Sequence, residues 1–269
     1  MSRVLLDNEL QGLDAQVIQL GSLVDAALAQ ALEALEMGDQ DRAGTVVVSD
    51  TTIDDLHLAI EERTFRVLTL QQPLAGRDLR YLTSLVPLAI DLERIGDEAE
   101  DIARNVLRML PYRFAGTPQA STPVQQEQDE DSLTDLADTG KESPTINRGA
   151  TEASIMLRML DLGREVRSLL QWTMKAFAER NAEAARSLWE QDKVVDQHSY
   201  AVRRDVILML EGARAIAALE HDPHMVQRAT HLLWIVYQLG RVADHCTNIC
   251  ERIVFIVEDE TDILTSLEE

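Results

Sequence analysis

The sequence predicts an all-α protein made of a duplicated three-helix bundle. Three observations predict it. The chain of 269 residues has only 12 glycines, 7 prolines and 4% aromatic residues, whereas Ala, Leu, Glu, Asp and Arg abound; such a composition favours long helices. Six stretches carry helical apolar periodicity, near 6–37, 40–70, 75–110, 150–179, 182–212 and 224–258. Finally, one apolar seam occurs twice. Leu92, Ile95, Ala99, Ile102, Val106 and Met109 step by 3, 4, 3, 4, 3, and Leu239, Val242, Cys246, Ile249, Ile253 and Ile256 repeat that stepping 147 residues later. This is the inward stripe of coiled-coil-like packing.

Each helix stops at residues that break helices. The first ends at "MGDQD", the second at "QQPLAGRD", the fourth at "ERNAE" and the fifth at "EHDPH", with Gly, Pro, Asn or Asp as punctuation. The third runs into a long middle segment, and the sixth closes the second unit. The second and fifth helices match at an offset of 142, pairing Asp50 with Asp192, Ile53 with Val195, Asp54 with Asp196 and Ile60 with Val202. Helices of about thirty residues run about 45 Å and need partners along most of their length, hence antiparallel bundles. The expected organisation is a first repeat over 1–112, a linker over 113–149 and a second repeat over 150–269. The linker is rich in Pro, Ser, Thr, Gln and acid, a composition that buries too little surface to offset its ordering entropy.

Charge narrows the function. The net charge of -22 and pI near 4.6 oppose nucleic acid and anionic membrane surfaces and favour cations and basic protein surfaces. No apolar run approaches the roughly 18 residues of a membrane helix, so direct insertion is not expected and membrane association would come through a partner. The start "MSRVLLDNELQ" lacks the apolar stretch of a signal peptide. Cys246 and Cys250, one helical turn apart, read as small buried residues in a reducing compartment. Walker, dinucleotide-glycine and nucleophile-elbow patterns are absent from the sequence, and nothing in it argues for catalysis.

The chemistry concentrates in carboxylates. Glu93, Asp97 and Asp101 stand four apart in one helical column, and Asp50 and Asp54 stand four apart on the second helix. All of them flank the core stripe. If the second and third helices pack antiparallel, the two sets converge in a groove whose oxygens suit Mg²⁺, Mn²⁺ or iron. The competing reading is a solvated acidic face, with Arg94 and Arg104 as neutralising partners. His57 lies three residues after Asp54, as in half of a di-iron carboxylate signature, but without a clear second motif both it and His198 read as groove or surface residues.

The runs "QQPLAGRDLR" (71–80), "DLERIGDEAEDIAR" (91–104) and "LGRVADHCTNICERIVFIVEDE" (239–260), with "LGSLVDAALAQALEALEMGD" (20–39), resemble the PhoU family of phosphate-signalling regulators. The resemblance spans nearly everything except the linker. It implies two bundles related by a pseudo-twofold axis and a cytoplasmic accessory protein, not an enzyme, peripheral to the membrane through its partners. Those partners would be the ATPase of a phosphate ABC transporter and a sensor histidine kinase, restrained when phosphate is plentiful. A homodimer stays open. The resemblance further implies iron, or another divalent ion such as Mn, Mg or Zn, on Asp/Glu-x-x-x-Asp motifs. Here these correspond to Asp50, Asp54, Glu93 and Asp97 in the first repeat, with Asp101 adding charge where the family commonly has Asn. In the second repeat they correspond to Asp192, Asp196 and Asp244, where Gly240 replaces a carboxylate and puts the metal in doubt. The long acidic linker is a further departure from the family pattern. Two rival readings are a carboxylate-bundle oxidase using His57 and a purely structural scaffold.

Overall fold

The computed structural model describes residues 3–70, 73–113, 151–211 and 222–258. Among these residues lie six helices, α1 (Arg3–Met37), α2 (Gln40–Leu70), α3 (Gly76–Arg113), α4 (Glu152–Glu179), α5 (Ala182–Leu210) and α6 (Met225–Val257). The expected helices are all there, and the described residues contain no strand. The expectations placed on the segment 113–149 fall almost wholly outside the described residues; Arg113 itself closes α3.

Helices α1, α2 and α3 pack on one another as the first bundle, and α4, α5 and α6 as the second. The predicted seams form their cores: Leu92, Ile95, Ala99, Ile102 and Val106 on α3, and Leu239, Val242, Cys246 and Ile249 on α6, are all fully buried. The most extensive contact in the molecule, however, joins the two bundles along α3 and α6, and α1 also touches α4. One continuous core therefore spans both repeats. Arg228 on α6 takes the carbonyl of Tyr112 at 3.0 Å and the carboxylate of Glu152 at 2.8 Å, so the end of α3 and the start of α4 meet on one guanidinium.

The α1–α4 contact shows the pseudo-twofold relation atom by atom. A Cβ on Gly21 would lie 2.5 Å from Met174 Cε, and a Cβ on Gly163 would lie 2.5 Å from Leu32 Cδ2. Gly21 and Gly163 are equivalent by the offset of 142, as are Leu32 and Met174. Each repeat thus presents the same glycine to the same position of its partner, the reciprocity of a twofold contact. On the same face Arg167 donates to Asp25 at 2.8 and 2.9 Å, and these two positions are also equivalent.

The turns within each repeat correspond as well. Gly38, with φ of 68°, ends α1, and its equivalent Arg180, with φ of 52°, ends α4. Asp39 then accepts the Arg42 amide, as Asn181 accepts the Ala184 amide, the usual closure of a helix start.

Helix α1 amends one expectation. By length and composition it could cross a membrane. Its Leu13, Val17, Leu20, Val24 and Leu28 are instead fully buried against protein, the signature of a core helix.

Candidate metal centre

Where α2 crosses α3, Gly96 lets them approach closely. A Cβ there would stand 3.0 Å from Ile53 Cγ2 and 3.7 Å from Asp50 Oδ1. This approach carries Asp50 and Asp54 of α2 onto Asp97 of α3. Each offers one oxygen, and the three oxygens lie within 4.8 Å of one another. Asp50 Oδ1 is buried and lacks a hydrogen-bond partner.

The electrostatics follow from that geometry. Burial, then repulsion from Asp54, Glu100, Asp97 and Glu93, pushes the Asp50 carboxyl up to about 6. Burial also raises Glu93, with Asp97 adding to the effect and Arg94 and His57 opposing it. Asp97 is raised by burial and by Asp54 and Glu100, against Arg94. Arg94 reaches Asp97 at 3.2 Å and Glu93 at 3.5 Å, and Arg104 holds Glu100 at 2.5 Å. The two arginines neutralise the rim and leave Asp50 at the centre uncompensated.

Asp101 does not join this cluster. It is exposed, and its carboxylate is a neighbour of Glu98 and Arg104 instead. Steps of four residues drift around a helix of 3.6 residues per turn. Seven residues make nearly two full turns, so Glu100, seven after Glu93, returns to the groove while Asp101 rotates out of it. Glu100 is therefore the acid that the column reading missed. His57, set aside above, sits within electrostatic reach of Glu93, and its Nε2 is buried without a partner.

The second repeat carries the thinner counterpart. Asp192 is raised by burial and by Asp196 and Asp244, and Thr247 stands at the position equivalent to Glu100. Asp196 and Asp244 are exposed, and among the described residues the close oxygen triad occurs in the first repeat. Two differences travel together. Glu93 becomes Gly240, and His57 becomes Ser199, whose hydroxyl is the nearest atom to a Cβ built on Gly240, at 4.0 Å. The second repeat thus lacks both the Glu93 carboxylate and the His57 imidazole that lies within its electrostatic reach.

A half-buried cluster of like charges needs either protons or a cation. The first-repeat groove offers carboxylate oxygens and one imidazole, a donor set that fits a divalent first-row metal. The cysteines fit no nucleophilic role. Burial pushes the Cys246 thiol well up and the Cys250 thiol up to about 11, so neither forms the reactive thiolate at neutral pH.

These features define a class: a duplicated helical bundle, fused along α3 and α6, with a carboxylate groove between the second and third helices of each repeat. The description of the PhoU domain matches this chain twice, over residues 17–106 and 159–253. The chain belongs to the PhoU family. The Pseudomonas aeruginosa phosphate-specific transport system accessory protein PhoU homolog is 30% identical over 256 residues, covering 95% of this chain and 86% of that protein. The Escherichia coli K12 accessory protein PhoU is 26% identical over 253 residues, 94% of this chain and 85% of that protein. The crystal structure of PhoU from Pseudomonas aeruginosa superposes with a TM-score of 0.70 at 25% identity, covering 93% of this chain and 98% of that one. That of the regulatory protein PhoU from Streptococcus pneumoniae gives 0.67 at 26% identity.

Proposed function

We propose that this protein is the accessory regulator of a phosphate-specific ABC transporter and of phosphate-starvation signalling. It acts stoichiometrically, as a non-catalytic adaptor in the cytoplasm. Its acidic helical faces dock on the transporter ATPase and on a sensor histidine kinase, and it restrains the starvation response when phosphate is plentiful. The observation that carries this reading is relatedness over both repeats to proteins named as accessory to phosphate-specific transport. Its test is affinity capture of the full chain from phosphate-replete cells. Recovery of an ABC ATPase and a histidine kinase is the expected result; recovery of neither, under conditions that preserve weak complexes, refutes the adaptor role.

The groove of the first repeat belongs to the same proposal. A divalent cation held by Asp50, Asp54 and Asp97, with Glu93 and His57 at its edge, would tie α2 to α3 and stiffen the docking surface. The partnerless Asp50 oxygen supports this. Asp50→Ala with Glu93→Ala lowers both bound metal and thermal stability in metal. Unchanged metal content in that double variant removes the assignment.

A further inference from the structure

At the pole where α1 and α3 begin and α4 and α6 end, a cavity of about 370 Å³ opens to solvent. In a strongly acidic protein, it is lined by Arg3, Arg77 and Arg180 alongside Asp14, Asp78 and Tyr81. Arg3 is occupied by Asp7 and Asp78. Arg180 bonds Asp14 and lies 4.5 Å from the ring centres of both Tyr81 and Phe177, yet its Nη1 is buried without a partner. Arg77 has no hydrogen bond or ion pair among the described residues. The Tyr81 hydroxyl donates to Asp14 Oδ1 at 2.6 Å, and Arg180 donates to the same oxygen. Asp14 Oδ2 is left open among the described residues.

The duplication supplies an internal control. At the opposite pole Gly38 stands for Arg180, Met156 for Asp14, His224 for Arg77, Met225 for Asp78 and Arg228 for Tyr81. Among these equivalent positions the one arginine, Arg228, is saturated by Glu152, Asp222 and the Tyr112 carbonyl. The fold therefore closes an end without this charge set. Arg180 also occupies a left-handed backbone position that its counterpart fills with glycine, an arrangement unfavourable for a side chain. An arginine held against its backbone preference, beside Arg77 with its donors unused among the described residues, points to an anionic ligand.

We propose that this cavity binds inorganic phosphate, with the Arg77 and Arg180 guanidinium groups donating to its oxygens and Asp14 Oδ2 accepting from its P–OH group. The mixture of donors and an acceptor is the selective element. Hydrogen phosphate carries a proton to give to a carboxylate; sulfate at neutral pH carries none and leaves that carboxylate facing bare negative charge. The choice of phosphate as the physiological anion rests on the regulatory reading above, whereas the preference for a protonated oxyanion follows from the cavity alone.

The test is equilibrium dialysis of the full chain against radiolabelled phosphate at neutral pH, with sulfate as competitor. The expected result is saturable binding of one phosphate per chain that excess sulfate does not displace. Arg77→Ala, which removes no internal contact, and Arg180→Gly, which suits the backbone, each weaken binding about tenfold or more. Asp14→Asn, with a donor in place of the acceptor, lets sulfate compete. No saturable binding, binding untouched by both arginine variants, or equal displacement by sulfate overturns the proposal. Phosphate binding without partner capture would sink only the adaptor role, and capture without phosphate binding only this cavity.

Discussion

Asp50 shows how one residue sets the chemistry of the groove. In the unfolded chain its carboxyl titrates near 3.8, and in the fold it is pushed up to about 6. Below pH 4 it is neutral in both states; between 4 and 6 only the unfolded form ionises readily. Linkage then makes the cation-free protein lose stability as pH rises through that window. Asp50→Asn removes this loss, so in chelator its melting temperature exceeds that of the natural chain at pH 7.5 and the difference shrinks at pH 5, as thermal scans at the two values will read. A divalent cation held as proposed should reverse the order, because it would bind the ionised form. Gly240 carries a separate prediction. Its Cβ position meets nothing closer than Ser199 at 4.0 Å, so close packing does not explain the glycine, and Gly240→Ala stabilises by about 1 kcal/mol in urea denaturation. Spacing made Asp50, Asp54, Glu93 and Asp97 legible in the sequence. It misplaced Asp101 because a straight column ignores the drift of a 3.6-residue helix. It undervalued His57, although setting Glu93 and His57 against Gly240 and Ser199 would have revealed the pair.

At the scale of elements, the helices were readable because their seams follow a strict 3, 4 rhythm and their ends carry turn residues. Even α3 reads as one helix despite Pro87, since the apolar rhythm of Leu85, Leu88, Leu92 and Ile95 runs across it. What pattern could not give was which stripe meets which helix. Periodicity marks a buried face and is silent about its partner, so the α1–α4 contact and its two glycines were invisible. That contact makes unequal demands on its two halves. Gly163 faces Leu32, which is buried, while Gly21 faces the flexible end of Met174, which is partly buried. Gly163→Ala therefore destabilises by about 1–3 kcal/mol, and Gly21→Ala by less. Equal losses in the two variants, or a larger one at Gly21, would mean that the two contacts are not packed as described.

Across the whole molecule, duplication was legible and fusion was not. Two seams 147 residues apart announce two units, yet the core runs unbroken from one to the other through α3 and α6. Polar contacts between those helices, among them Arg241 with Glu98 at 3.1 Å, His245 with Asp91 at 2.9 Å and His231 with Asn105 at 3.0 Å, add specificity to an apolar junction. A shared core makes the repeats interdependent. Calorimetry of the full chain should give one transition whose calorimetric and van't Hoff enthalpies agree; two resolved transitions would show that the bundles fold separately. The two copies diverge in their acids: the first repeat keeps the dense carboxylate groove, and the second keeps its frame with fewer acids.

The most direct test of that asymmetry is a titration of the metal-stripped full chain with Mn²⁺ at constant ionic strength, comparing Asp54→Asn with Asp196→Asn. The account predicts one saturable site per chain that Asp54→Asn abolishes and Asp196→Asn preserves. Binding that survives Asp54→Asn, or that disappears only in Asp196→Asn, would contradict it.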